Sequence, residues 1–323
     1  MLPLPAIFLV LAYLVDRMVG DPRFLTHPVV IMGRVIQWLE KQIRKRWNKP
    51  GELRAAGFLF PLLLVGGSYF AVWLLLKGLS MLSPWLAWAA EVWLISTTIA
   101  SKGLADAGLQ IYQHLQQNDL PQARTALSMV VGRDTDKLDE PEIVRGAVET
   151  VAENIVDAII SPLFFAAIGG APLAMAYRAA NTLDSMVGYK DDRYFDLGYA
   201  SARFDDILNY IPARICALLI VVAASMQRLH ARSAWQMIRR DARKHPSPNS
   251  GFAEAGVAGA LGVQLGGLNY YRGVPSHRAL LGERTRPLVA DDIVRTVKVM
   301  HLVALLSVLL FAIGRLLCSG IAV

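Results

Sequence analysis

Residues 55–76 read AAGFLFPLLLVGGSYFAVWLLL, 22 consecutive positions without a charged side chain. A helix of that length, at about 1.5 Å per residue, crosses a hydrocarbon core roughly 30 Å thick. The stretch therefore reads as a transmembrane span. Next to it, residues 78–101 carry only Glu91, and the two runs together read as a membrane hairpin. Trp73, Trp85, Trp88 and Trp93 gather around the 77–84 turn, where amphipathic rings favour the lipid–water boundary. Residues 302–323 carry only Arg315 and read as a third span. Residues 1–15 are apolar but short, without a basic leader or a small-residue cleavage site, and read as an uncleaved anchor. The runs 155–177, with Asp157, Pro162 and Pro172, and 207–225, with Pro212 and Arg214, are either spans or re-entrant segments. Gly169-Gly170-Ala171-Pro172 in the first of these permits a sharp reversal, and a broken helix is tolerated at membrane depth where protein or a cavity covers it. The predicted fold class is all-α: a polytopic integral membrane protein, a helical bundle with long cytoplasmic helical loops and broken or re-entrant helices. The 323 residues are expected to form a single integral membrane catalytic domain.

Composition agrees. Hydrophobic residues make up 54% of the chain and charged ones 18%, with a mean hydropathy of +0.38. These values exclude a disordered chain and argue against a fully soluble enzyme. Cys216 and Cys318 cannot build a disulfide framework or a four-thiolate zinc site, and both lie in apolar runs as buried thiols do. The net charge of +7 is concentrated in two places. Segment 16–54 holds nine basic residues, including Arg44-Lys45-Arg46, and segment 226–300 holds twelve against five acidic ones, whereas the 77–84 turn holds only Lys77. Both basic segments are thus expected on the cytoplasmic side of the membrane, facing anionic lipid. Nucleic acid is not an expected partner, because interleaved aromatics and module signatures are missing.

Four polar clusters stand out from ordinary loop decoration. The first, Asp16-Arg17-Met18-Val19-Gly20-Asp21-Pro22 with His27-Pro28, reads as a rigid extended turn at the end of the first apolar run. It either presents two carboxylates and an imidazole for chemistry or merely caps flanking helices. The second contains Gly132-Arg133-Asp134-Thr135, an arginine fork for phosphate or carboxylate. Pro141 then opens a helix from Glu142 to about Ile160, with Asp139 or Glu140 as its cap. Arg145, Glu149, Glu153 and Asp157 recur every four residues along one face of this helix. Carboxylates entering an apolar stretch need a cation. Either Mg²⁺ with phosphate or a set of arginine ion pairs supplies it. Asn154 flanks the row.

The third cluster places Asn181, Asp184 and Ser185 on one helix face before a stop at Gly188, and continues through Ser201-Ala202-Arg203-Phe204-Asp205-Asp206. Arg214 in apolar surroundings needs a partner, for which Asp205 or Asp206 is near in sequence. The fourth, His245-Pro246-Ser247-Pro248-Asn249-Ser250-Gly251, leads into a helix over 252–268 capped by Asn249 or Ser250. Small residues at 251, 255 and 259 allow close packing there, and the helix start with its histidine can take an anion. No Walker loop, dinucleotide fingerprint or nucleophile elbow occurs.

Together these motifs resemble the adenosylcobinamide-phosphate synthase family, also called the CobD/CbiB family of cobalamin biosynthesis. The likeness rests on Asp16-Arg17 with Gly20-Asp21-Pro22 and His27-Pro28-Val29, on Gly132-Arg133-Asp134-Thr135, and on Glu149-Thr150-Val151-Ala152-Glu153-Asn154 with Asp157. It continues through Asn181-Thr182-Leu183-Asp184-Ser185-Met186, Ser201-Ala202-Arg203 with Asp205-Asp206, Ser247-Pro248-Asn249 and Ala258-Gly259-Ala260-Leu261-Gly262. The resemblance implies a multi-pass inner-membrane ligase of vitamin B12 biosynthesis. Such an enzyme joins a propionate carboxyl of adenosylcobyric acid to aminopropanol or its O-phosphate, with ATP as cosubstrate and Mg²⁺ as cofactor. Other late membrane enzymes of that pathway are candidate partners.

On this reading Glu149, Glu153, Asp157 and Asp184 hold Mg²⁺–ATP, and Arg133 and Arg203 neutralise phosphate charge. His27 or Asp21 takes the ammonium proton. His245 and Asn249 bind the amine phosphate, and Asp16, Asn154, Asn181 and Ser185 complete the binding set. The large corrinoid lies on the apolar surface, and the site faces the cytoplasm. Two other classes remain open. A non-catalytic regulator of the beta-lactamase-induction type would have clusters that are structural ion pairs, and a corrinoid transporter would move substrate without ATP turnover.

Overall fold

The computed structural model describes residues 4–20, 26–189 and 191–321. Asp21 lies outside the described residues. Helices dominate. In chain order they are α1 Leu4–Met18, α2 Pro28–Arg46, α3 Pro50–Ala56, α4 Gly66–Leu82, α5 Pro84–Ser96, α6 Ser101–Gln116 and α7 Leu120–Ser128. Then come α8 Glu140–Ile155, α9 Ser161–Val187, α10 Tyr199–Leu208, α11 Tyr210–Met226, α12 Ala231–Asp241, α13 Ser250–Leu261 and α14 Asp291–Ile321. A single antiparallel hairpin, β1 Gln264–Tyr271 with β2 Val274–Gly282, completes the described structure. The fold is thus the expected all-α membrane bundle with one small sheet added.

The chain divides into two compact units. The first comprises residues 1–100, 161–209 and 308–323, and the second 101–160 and 210–307. Three described stretches are long and apolar enough to span a membrane: Pro50–Leu82, Glu140–Val187 and Asp291–Cys318. The pair Tyr199–Leu208 and Tyr210–Met226 makes a fourth if counted as one broken span.

In the first unit, Pro61 cannot donate to the helix ladder, and a wide π turn over Pro61–Val65 joins α3 to α4. Phe70, Trp73, Leu74 and Leu75 on α4 point outward, as lipid-facing side chains do. The hairpin turn falls at Ser83 rather than across 77–84, and α5 has 13 residues, about 20 Å of helix. The second arm is therefore shorter than the 78–101 run suggests. Trp85 and Trp88 meet edge-on at 4.7 Å, and Lys77 sits over Trp73.

The break anticipated at Gly169-Gly170 is present. Both residues are non-helical inside α9, and Gly170 has φ +65°, a conformation open to glycine but strained for other residues. The helix restarts at Ala171, whose N–H donates to Glu91 Oε1 at 2.7 Å. The lone charge of the 78–101 run thus caps a helix broken inside the bundle.

In the second unit, α8 begins with the capping box its sequence calls for. Asp139 accepts from the Glu142 N–H at 2.9 Å, and Glu142 accepts from the Asp139 N–H at 3.1 Å. The helix ends at Ile155 and passes into a π turn over Val156–Ile160, so Asp157 lies on a wider turn than Glu149 and Glu153.

The predicted helix over 252–268 stops at Leu261. Gly262 adopts the left-handed conformation that ends helices, and the chain turns into β1. The small residues pack as expected: an added Cβ on Gly259 would lie 2.7 Å from the Ala234 backbone. Asp241, fully buried, anchors the far end of the hairpin by accepting from Gly282 N–H at 2.9 Å. Burial raises its pKa, but hydrogen bonds from Arg240, Lys244 and Gly282 outweigh that and hold the carboxyl far below the usual range.

Candidate functional site

The second unit encloses the densest buried charge. Glu149 on α8 is almost fully buried, and both its oxygens are taken. Oε2 accepts from Arg133 Nη2 at 2.8 Å, and Oε1 accepts from the Gly266 N–H at 2.8 Å. The second bond exists because β1 bulges between Leu265 and Gly267, releasing one N–H from the ladder. Gly266 has φ +84°, and a Cβ there would lie 2.1 Å from the Ala279 carbonyl, so only glycine fits. Arg133 also donates to Asn269 Oδ1 at 2.5 Å. Arg145, one turn before Glu149, donates to the carbonyls of Gly266 and Leu268 and to Asn269. Asp134 accepts from the N–H groups of Arg272 and Gly273, pinning the hairpin turn. These contacts correct two expectations: Glu149 is neutralised by arginine rather than left open for a metal, and Arg133 is committed to Glu149 rather than free for phosphate.

Glu153, on the next turn of α8, is different. It is half-buried, and no described hydrogen bond or ion pair holds its carboxylate. Around it stand His245, Glu254 and Arg278, whose charges it perturbs. Glu254 on α13 is 2% exposed and meets His245 Nε2 at 3.3 Å, outside hydrogen-bond geometry. Burial, then the charges of Glu153 and Glu149, raise the Glu254 pKa well above the ordinary value. Burial lowers that of His245. Both shifts favour a neutral acid beside a neutral imidazole. His245 Nδ1 accepts from the Ser247 N–H at 3.0 Å, and Arg278 donates to the Tyr271 hydroxyl at 3.0 Å.

Asn249 does not cap α13. Its Oδ1 accepts from Arg214 Nη1 at 2.7 Å, and Ser247 Oγ accepts from the N–H groups of Asn249 and Ser250 instead. Arg214, stacked on Tyr210 and Phe252, therefore pairs with the Ser-Pro-Asn segment rather than with Asp205 or Asp206. Asn154 donates to the Thr150 carbonyl of its own helix, and Asp157 opens the π turn.

The first unit holds a second buried network. Asn209 Oδ1 accepts from Ser161 at 2.6 Å and from the Tyr177 hydroxyl at 2.9 Å, while its Nδ2 donates to Asp205 Oδ2 at 2.9 Å. Asp205 Oδ1 and Ser201 Oγ, one turn apart on α10, are buried without a hydrogen-bond partner. Asp184 is close enough for its charge to act on Asp205. Asn181 accepts from Arg178, and Ser185, exposed, donates to the Asn181 carbonyl.

The remaining predicted residues are placed as follows. Asp16 is buried within α1, which runs to Met18, so this acid sits in a helix rather than in the expected turn, and residues 21–25 lie outside the described residues. His27 is the N-cap of α2, its Nδ1 accepting from the Val29 N–H at 3.2 Å, which is the capping alternative. Arg203 is exposed and lies 3.5 Å from Asp206.

Glu254, Arg278, Asn269 and Asn209 were not singled out from sequence. A signal existed for Glu254, the lone charge in SGFAEAGVAGAL. No local pattern marks the hairpin residues. Among the described residues no group of three or more His, Cys, Asp or Glu side chains converges as a metal cage.

The fold and these buried charges define a polytopic membrane protein with enclosed polar chemistry. The chain matches the CobD/Cbib protein family over residues 9–300. It is 44% identical over 315 residues to the cobalamin biosynthesis protein CbiB of Salmonella typhimurium strain LT2, covering 97% of this chain and 98% of the relative. It is 45% identical over 310 residues to the cobalamin biosynthesis protein CobD of Yersinia enterocolitica, covering 96% and 98%. No solved structure matches. The chain belongs to the CobD/CbiB family.

Proposed function

We propose that this protein is a cobalamin-biosynthesis ligase that joins aminopropanol, or its O-phosphate, to the propionate carboxyl of adenosylcobyric acid at the expense of ATP. The resemblance and the relatives' names supply the pathway. The observation that carries a site is Glu153, an open carboxylate on a helix whose neighbouring carboxylate is already neutralised.

A carboxylate is a poor electrophile and needs activation. Its oxygen attacks the ATP γ-phosphorus, the β–γ bridge breaks, and ADP leaves. The amine, having lost its ammonium proton to water, attacks the acyl carbon. The C–N bond forms as the C–O bond to phosphate breaks, and the second amine proton departs with the phosphate. Mg²⁺ when bound neutralises triphosphate charge. It asks for only one or two carboxylates beside phosphate oxygens and water. Glu153 fits that demand, with Asp157 one turn on. Arg278 feels the charge of Glu153 and is the cation that would meet developing phosphate charge. Protonated Glu254 and neutral His245 add donors without adding repulsion to an incoming anion. ATP is a cytoplasmic cosubstrate, which puts the site on that side of the membrane.

Glu153→Gln is isosteric and breaks no bond in the fold. In purified protein it is expected to reduce adenosylcobyric acid conversion by about 100-fold or more while leaving thermal stability unchanged. Near-normal turnover would refute the assignment.

A further inference from the structure

Helix α2 presents an unusual outer face. Its inner face is built from Met32, Ile36, Leu39 and Ile43, all buried. Its outer face follows the same helical period but changes character along its length. Ile31, Val35 and Trp38 are exposed at 53%, 37% and 59%, with exposed Arg34 at the edge of the same stripe, and exposed Lys41 and Lys45 follow. Apolar side chains with an indole toward one end and a growing share of cations toward the other are the arrangement of a helix that enters a lipid interface at an angle.

The cationic half opens on a cleft of about 660 Å³ lined by Lys41, Arg44, Lys45, Arg193 and Tyr194 with Glu40 at its base. Glu40 is buried, and its Oε1 accepts from Arg44 Nε at 2.9 Å and from Arg193 Nη2 at 3.0 Å. Burial raises its pKa, but the hydrogen bonds from both arginines outweigh this and keep the carboxyl ionised below its ordinary range. Arg44 also donates to the Arg193 carbonyl at 2.6 Å, and both guanidinium groups lie against the Tyr194 ring. One carboxylate thus orients two guanidinium forks, leaving Nη1 of each outside these bonds, and no described ion pair engages Lys41 or Lys45. Four cations against one carboxylate leave an anion-seeking site whose geometry is already fixed.

We propose that this cleft binds the headgroup phosphate of an anionic phospholipid, with the acyl chains running along Ile31, Val35 and Trp38. The same cations could hold any phosphate ester; the exposed apolar stripe continuous with the cleft selects a lipid.

Native mass spectrometry of the full-length protein in detergent, titrated with phosphatidylglycerol, tests this. Phosphatidylglycerol is expected to stay bound where phosphatidylcholine does not. Lys41→Gln with Lys45→Gln should weaken retention roughly 30-fold, at about a factor of five for each surface cation. Both lysines are exposed, so the melting temperature should stay the same. Trp38→Ala should weaken the lipid and spare the Glu40 network. Equal retention of the zwitterionic lipid, undiminished binding by the double-lysine variant, or displacement by millimolar inorganic phosphate would each overturn the proposal, the last by pointing to a soluble phosphate instead.

Discussion

Glu149 in the second unit and Asp205 in the first are both buried carboxylates on helices, yet the chain treats them oppositely. Glu149 receives a guanidinium and a backbone N–H, so its charge is matched on both oxygens. Asp205 receives one amide from Asn209, and its other oxygen has no hydrogen-bond partner. A buried ion pair is a closed structural element, whereas a buried carboxylate held by an amide alone must gain a cation or take up a proton. Burial of an acid therefore does not identify a ligand site; the partner's charge does.

The largest effect should come from opening the closed case. Glu149→Ala leaves Arg133 and the Gly266 N–H buried and unmatched, and is expected to cost about 3–5 kcal/mol in detergent unfolding. Removing Arg133 as well should restore part of that loss, since the uncompensated charge goes with it. A silent Glu149→Ala would erase the contrast.

A smaller effect tests the open case. Millimolar Mg²⁺ with ATP should stabilise the wild type by about 1–3 kcal/mol by mass action, and should do little for Glu153→Gln, the acid that stays open on α8. An equal response in both would show that Glu153 is not where the cation acts.

The smallest effect per step is a pH slope. The raised pKa of Glu254 means that the folded state keeps a proton the unfolded chain releases near its ordinary pKa. Its contribution is fully present in acid and declines as pH rises from there toward the folded-state value, by about 1.4 kcal/mol per pH unit while one proton separates the states. The lowered pKa of His245 acts the other way, adding stability above its ordinary value that is lost as pH falls toward the folded one. Glu254→Gln should flatten the first slope in melting curves and leave the second. An unchanged acid-to-neutral slope would show that Glu254 titrates normally.

Much of this was legible in the chain. The charge-free run 55–76 and the Gly169-Gly170 break both appear where they were read, because hydrophobic length and glycine conformation act locally. The Asp139 capping box is equally local. What failed to show was every contact whose partner lies far along the chain. Arg133 is 136 residues from Asn269, and Glu149 is 117 from Gly266. Residues 264–268, the first part of the hairpin that supplies these partners, were read as the end of a small-residue helix, and the rest of the hairpin was not anticipated. Asn249 was read as a cap when it holds Arg214, again through a partner 35 residues away.

The amino-acid sequence by itself determined the membrane class, the family, the helical framework and the row of acids along α8, since each follows from hydrophobic length, local caps and a period of 3.6 residues. Only the tertiary structure decided which of those acids stays open. Closing a buried carboxylate requires donors within about 3 Å of both oxygens, and here one is the Arg133 guanidinium while the other arrives on a strand bulge more than a hundred residues away.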